Sequence, residues 1–131
     1  MSDMMGHFAL IGETFDPSYV TQKLGIEPSD VRLKGGVSRG GHIFDCTVWG
    51  IDTKTFTDAT FSDVLDVLLS KINCSSRALR DVAEACNAQW RVIFYIGIRE
   101  YTPISLHFSP EQVKFLAEAK AEIDYDTYVY L

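Results

Sequence analysis

The sequence predicts an α+β domain, a largely antiparallel sheet with helices packed on it. Three observations carry that expectation. Residues 89–99 (QWRVIFYIGIR) alternate, with Trp90, Val92, Phe94, Ile96 and Ile98 on one face and a mixed set on the other, as a strand does. Phe61, Val64, Leu65, Leu68 and Ile72 recur instead at helical spacing. Residues 122–130 return to a period of two, with Ile123, Tyr125, Thr127 and Val129 set against Glu122, Asp124, Asp126 and Tyr128.

Taken in order, residues 5–13 read as the first strand, with Phe8, Leu10 and Gly12 opposite His7, Ala9 and Ile11. Asp16 and Pro17 then open a helix. The aspartate can accept from the free amides of the first turn, and proline at the first helical position gives up no hydrogen bond. Phe15 and Val20 stand at the staple positions. Gly25 ends the helix by entering the left-handed region, and Ile26-Glu27-Pro28 leads away extended. A glycine-rich loop, 35–41, precedes a strand over 42–51.

The helix over 61–72 has Thr60 and Asp63 as its cap pair. Leu79, Val82, Ala83 and Cys86 mark a second one, starting at Ser75 or Ser76, so the two make a helical hairpin or one broken helix. Residues 89–99 are apolar on one face and in the middle of the other, which predicts a central strand with layers packed on both faces. Residues 104–108 are expected to pair with it as a hairpin across Glu100-Tyr101-Thr102-Pro103. Phe108-Ser109-Pro110 repeats the signature of Phe15-Asp16-Pro17, with Ser109 as cap and Val113 as staple. Residues 122–130 close the sheet as an exposed, acidic edge. The repeated signature fits two similar halves, as a ferredoxin-like sandwich would have. Independent use of the same capping chemistry explains it equally well.

Residues 1–131 are expected to form a single α+β domain. With 47% hydrophobic residues, a core can form without metal or disulfide staples. A net charge of −6 argues against a nucleic-acid binder, which needs a basic face, and is compatible with a basic protein partner. Cys46, Cys74 and Cys86 are odd in number and form no CxxC pair, which suits a reducing cytoplasm. The first residues lack the pattern of a signal peptide, and no stretch reaches the apolar length of a membrane span.

Residues that could carry chemistry are few. Arg32, Lys34 and Arg39 surround four glycines, so backbone amides and cations could meet an anion there, with Trp49 nearby as a platform. A plain flexible connection is the first reading of the same loop, and neither GxxxxGK[ST] nor GxGxxG is present. Trp49 reads first as core and second as a binding anchor. His7, His42 and His107 have no local metal-clamp spacing. Cys46 and Cys86 read as small buried hydrophobes, while Cys74, in a linker, is the thiol expected to react most readily. Asp124 and Asp126 project from one strand face beside Tyr128 and Tyr130. Sheet packing and a solvated surface are the plain explanations, and partner contact is the functional one.

Thr21, Leu24-Gly25-Ile26, Pro28, a glycine at 35 or 36, Trp49 at a strand end, the helix over 61–72, the Phe-Ser-Pro-Glu-Gln helix start and the tyrosine-rich last strand occur in one order. In that order the chain resembles a bacterial family catalogued as domain of unknown function 4279. The resemblance implies a small bacterial α+β domain and supplies no catalytic residues. Domains of this size include immunity proteins that neutralise toxins, which is analogy only.

The expectation is therefore a non-catalytic cytoplasmic binding module that needs no cofactor or metal. In its sharper form it is an immunity-type protein docking a basic partner through Asp124, Asp126, Tyr128 and Tyr130. The alternative is a small-ligand or anion sensor using Arg32, Lys34, Arg39 and Trp49.

Overall fold

The computed structural model describes residues 2–99 and 103–130. The elements run β1 (Ser2–Gly12), α1 (Pro17–Leu24), β2 (Asp30–Arg32), β3 (Thr47–Asp52), β4 (Phe56–Thr57), α2 (Phe61–Ile72), α3 (Ser76–Cys86), β5 (Ala88–Ile98), α4 (Pro110–Ala119) and β6 (Glu122–Val129). The six strands form one sheet in the order β2-β3-β1-β5-β6, with the short β4 also paired to β1. Every pairing is antiparallel except β5 with β6, which is parallel and is bridged by α4.

The helices start where side-chain oxygens can take up their first free amides. Asp16, Thr60, Ser75 and Ser109 cap α1, α2, α3 and α4 by accepting from Ser18, Asp63, Ala78 and Gln112. Ser109 and Gln112 close a full capping box. Gly25, at φ 69°, ends α1, and its amide donates to the Thr21 carbonyl. Asn73 takes the same left-handed backbone after α2, as Asn87 does after α3, so α2 and α3 are separate helices; α3 packs on α4 and α1, and the pair is neither one broken helix nor the expected hairpin.

All four helices lie on one face of the sheet. That face carries Met4, Phe8 and Leu10 from β1, Trp49 and Ile51 from β3, and Trp90, Val92, Phe94 and Ile96 from β5, all buried. Leu10 is registered with Trp49 on one side and Trp90 on the other, so one row crosses three strands. Trp49 donates to the Thr21 hydroxyl of α1 at 3.0 Å, and Trp90 donates to the Leu79 carbonyl of α3 at 2.6 Å. Val64 and Leu68 of α2 press on Gly6 of β1. The buried Gln112 of α4 joins α2 by accepting from the Ser62 hydroxyl and donating to the Ser62 carbonyl and Asp66.

Three expectations need correction. β5 is an inner strand, but only one of its faces is covered; Arg91, Ile93 and Tyr95 on the other are half-buried by neighbouring side chains and by no second layer. Residues 104–108 are not a strand. Both edges of β5 are already taken, by β1 and β6, so no edge is left for a hairpin partner. Ile104 and Phe108 instead pack against the core from a loop, and the hairpin turn expected at 100–102 lies outside the described residues. The strand expected over 42–51 begins at Thr47, because residues 42–46 fold back on the glycine-rich loop, with Gly35 and Phe44 donating to the Phe44 and Gly36 carbonyls.

The two halves also differ. β1 and β3, joined through α1, are antiparallel, whereas β5 and β6, joined through α4, are parallel. Val20 is fully buried, and its counterpart Val113 is half exposed. The shared cap signature therefore records local chemistry and not two equivalent units.

Candidate functional site

The uncovered face of the sheet is where this chain presents functional groups. Strand parity fixes what stands there: Asp30 and Arg32 from β2, Asp52 from β3, Asp3, Met5 and His7 from β1, Arg91, Tyr95 and Arg99 near β5, and Glu122, Asp124, Asp126 and Tyr128 from β6. Tyr130 follows on the same side, its amide donating to the Ile98 carbonyl at 2.7 Å and its ring under the Arg99 guanidinium. One shallow hollow, of about 380 Å³, is lined by His7, Ser29, Asp30, Arg32 and Asp52. A second, of about 480 Å³, is lined by Asp3, Thr55, Arg99, Tyr128 and Tyr130. Met5 and Tyr95 line both, so the two run into each other.

His7 and Asp52 are register partners, and the imidazole Nδ1 bonds the Asp52 carboxylate. The ring lies against Gly50, where a Cβ would stand 2.6 Å from His7 Cε1. Only a residue without a side chain lets the imidazole lie this low, and His7 is consequently buried. Burial first, and the Asp126 carboxylate next, push the Tyr95 phenol up, so it remains a neutral hydroxyl at ordinary pH.

The charges form an ordered pattern across this face. Asp30 pairs with Arg32 at 3.3 Å and Asp3 with Arg99 at 3.2 Å. Arg91 lies 3.4 Å from Asp124 and 4.0 Å from Glu122, although its Nε is not aligned for a hydrogen bond. Among the described residues no basic side chain comes within 4.0 Å of Asp126. Six carboxylates and three guanidiniums thus share the face, with the acidic excess toward β6.

The sequence-derived candidates divide. Asp124, Asp126, Tyr128 and Tyr130 do share one exposed surface. Of the alternative set Arg32, Lys34, Arg39 and Trp49, Arg32 and Trp49 are not brought together. Trp49 is fully buried on the helix side, opposite to Arg32 in the strand alternation. Lys34 is engaged by Glu13 at 2.8 Å, which holds that carboxyl below its ordinary range. Arg32 stacks on Phe44 besides pairing with Asp30. Burial raises the thiols of Cys74 and Cys86, so Cys74 is not the readily ionised group its linker position suggests. Among the described residues no three His, Cys, Asp or Glu side chains are placed to hold a metal ion, and no helix is long and apolar enough to cross a membrane.

The family described as Domain of unknown function (DUF4279) matches residues 4–130. The chain belongs to that family. No curated protein and no solved structure matches it. The match runs from within β1 to the end of β6, so every open-face residue named above except Asp3 lies within the family's span. Sequence reasoning missed His7, Asp52 and Tyr95 as neighbours on that face. His7 and Asp52 are brought together by the β1–β3 pairing alone, and no local motif marks it.

Proposed function

We propose that this DUF4279 domain is a non-catalytic, cytoplasmic binding module that docks a basic partner protein on its open sheet face. The observation that carries this reading is the one-sided helix layer. It leaves a face whose outer margin combines the half-exposed Tyr128 and Tyr130 with Asp124 and Asp126. Tyrosine is the residue type that interfaces favour, giving a large contact area and a polar tip for little lost freedom. The acidic excess would steer a basic partner and set its orientation.

Catalysis finds less support. The His7–Asp52 pair has the look of an oriented base, but the imidazole is pressed on Gly50 with little exposure, and among the described residues no nucleophile is paired with it. The three cysteines are free thiols, which fits a reducing compartment. An immunity-type role would add only that the partner is a toxin, and its support is the sign of the charge.

The test is affinity capture from the native host with the wild type and with Asp124→Lys/Asp126→Lys. Two reversed charges should cut capture at least about tenfold, mostly through slower association, and added salt should narrow the difference from the wild type. Both substitutions are on an exposed edge strand, so circular dichroism should be unchanged. Capture that survives the double reversal at equal strength rules this surface out.

A further inference from the structure

β6 ends the sheet, and all eight of its residues are exposed. One edge pairs with β5 and the other has no strand beside it among the described residues. A free edge offers backbone donors and acceptors in register, and natural proteins protect such edges against their own copies. The protection here is the open-face row Glu122, Asp124 and Asp126. If two copies of β6 paired antiparallel about Tyr125, Asp124 would face Asp126; about Asp126, that carboxylate would face itself. Like charges directly opposite are destabilising, so the edge rejects a second copy.

The other side of the same strand is apolar. Ile123, Tyr125 and Val129 are exposed there. Beside Tyr125 and Thr127 opens an apolar hollow of about 190 Å³, walled by Phe61, Ile98, Ile104 and Leu106. The edge is therefore two-faced, acidic toward the open face and apolar toward the helix layer.

We propose that β6 takes up an extended segment of the partner as a seventh strand, one in which basic and apolar residues alternate. This rests on the docking reading above and specifies its mode. Main-chain hydrogen bonds supply the attachment, and alternate side chains supply the selection. In a strand successive side chains point to opposite faces. Lysines or arginines at every second position stand over Glu122, Asp124 and Asp126, Asp126 being the one with no basic partner near it. The intervening apolar residues lie along Ile123, Tyr125 and Val129 and reach toward the apolar hollow. The charge pattern that keeps two copies apart is the one that admits this segment.

The experiment uses synthetic peptides of the length of β6 and the chain of residues 1–131. One peptide alternates lysine and valine; its isomer has the same residues in two blocks. Two further versions of the alternating peptide are N-methylated, one at the lysines and one at the valines. An added strand uses only the amides on the edge it presents. The alternating peptide should bind at least about tenfold more tightly than the block isomer, a difference of about 1.4 kcal/mol. One methylation pattern should abolish binding and the other should leave it within about twofold. Equal binding of the two isomers, no binding, or indifference to both methylation patterns overturns strand addition. If capture of the natural partner still falls with Asp124→Lys/Asp126→Lys, the docking reading stands without it. If capture is also unchanged, both fall.

Discussion

Replacing Trp90 with alanine will lower the free energy of unfolding by about 3–5 kcal/mol, the cost of emptying a large, fully packed aromatic site. Trp90 has no solvent exposure. Its ring centroid lies 5.1 Å from that of Phe8 and 6.0 Å from that of Trp49. Its indole N–H donates to the Leu79 carbonyl, tying α3 to β5. Alanine removes the ring, leaves a void between three strands and a helix, and takes away that link. Domains of this kind hold only about 5–15 kcal/mol in total, so the variant should be largely unfolded at modest urea. Equilibrium urea unfolding followed by tyrosine fluorescence and circular dichroism measures it. A loss under about 1 kcal/mol would mean that the tryptophan row is not the centre of the core.

Gly6→Val will cost nearly as much, about 3 kcal/mol, at the upper end of what overpacking a closed core does. Gly6 faces α2 from β1, and a Cβ there would lie 2.7 Å from Val64 Cγ1 and 2.8 Å from Leu68 Cδ1. Both side chains are fully buried and come from successive turns of one helix, so neither can turn away into solvent. β1 cannot retreat either, because it is paired on both edges and the Gly6 amide donates to the Thr53 hydroxyl at 2.9 Å. The helix must lift. Gly40→Ala is the control: its nearest neighbour to a Cβ is Ser38 Oγ at 3.9 Å, and the change should stay within about 0.5 kcal/mol. Comparable losses from both would show that the close approach of α2 to β1 is not what Gly6 provides.

What could be read from the sequence was local. The caps at Asp16, Thr60, Ser75 and Ser109 need only the residue and the three or four that follow it; Asp16, Thr60 and Ser109 cap as expected, and of the two serines left open at α3 it is Ser75 that caps. The alternation of β5 and β6 also needs no partner to be seen. What could not be read depended on which strands meet. The stretch 104–108 has the composition of a strand and lacks a free edge to join. Ile93 and Tyr95 look like one face of a covered strand, yet they are sheltered only by neighbours on an open sheet. Trp49 and Arg32 sit in one basic, glycine-rich neighbourhood of the chain, and strand parity sends them to opposite sides of the sheet. The tyrosine and aspartate cluster of β6 was legible because its members share one strand. His7 and Asp52 were not, because forty-five positions separate them and only the β1–β3 register joins them.

The docking proposal places a basic partner on the open sheet face and not on the helix layer or the glycine-rich loop. A photo-crosslinking residue placed at Tyr128, and separately at Val113 on α4 and Val37 in the glycine-rich loop, measures that in the native host; all three positions are more than half exposed. The open-face reading predicts one discrete adduct from Tyr128, lost with Asp124→Lys/Asp126→Lys, and none from Val113 or Val37. Adducts from Val113 or Val37 with none from Tyr128 would contradict it.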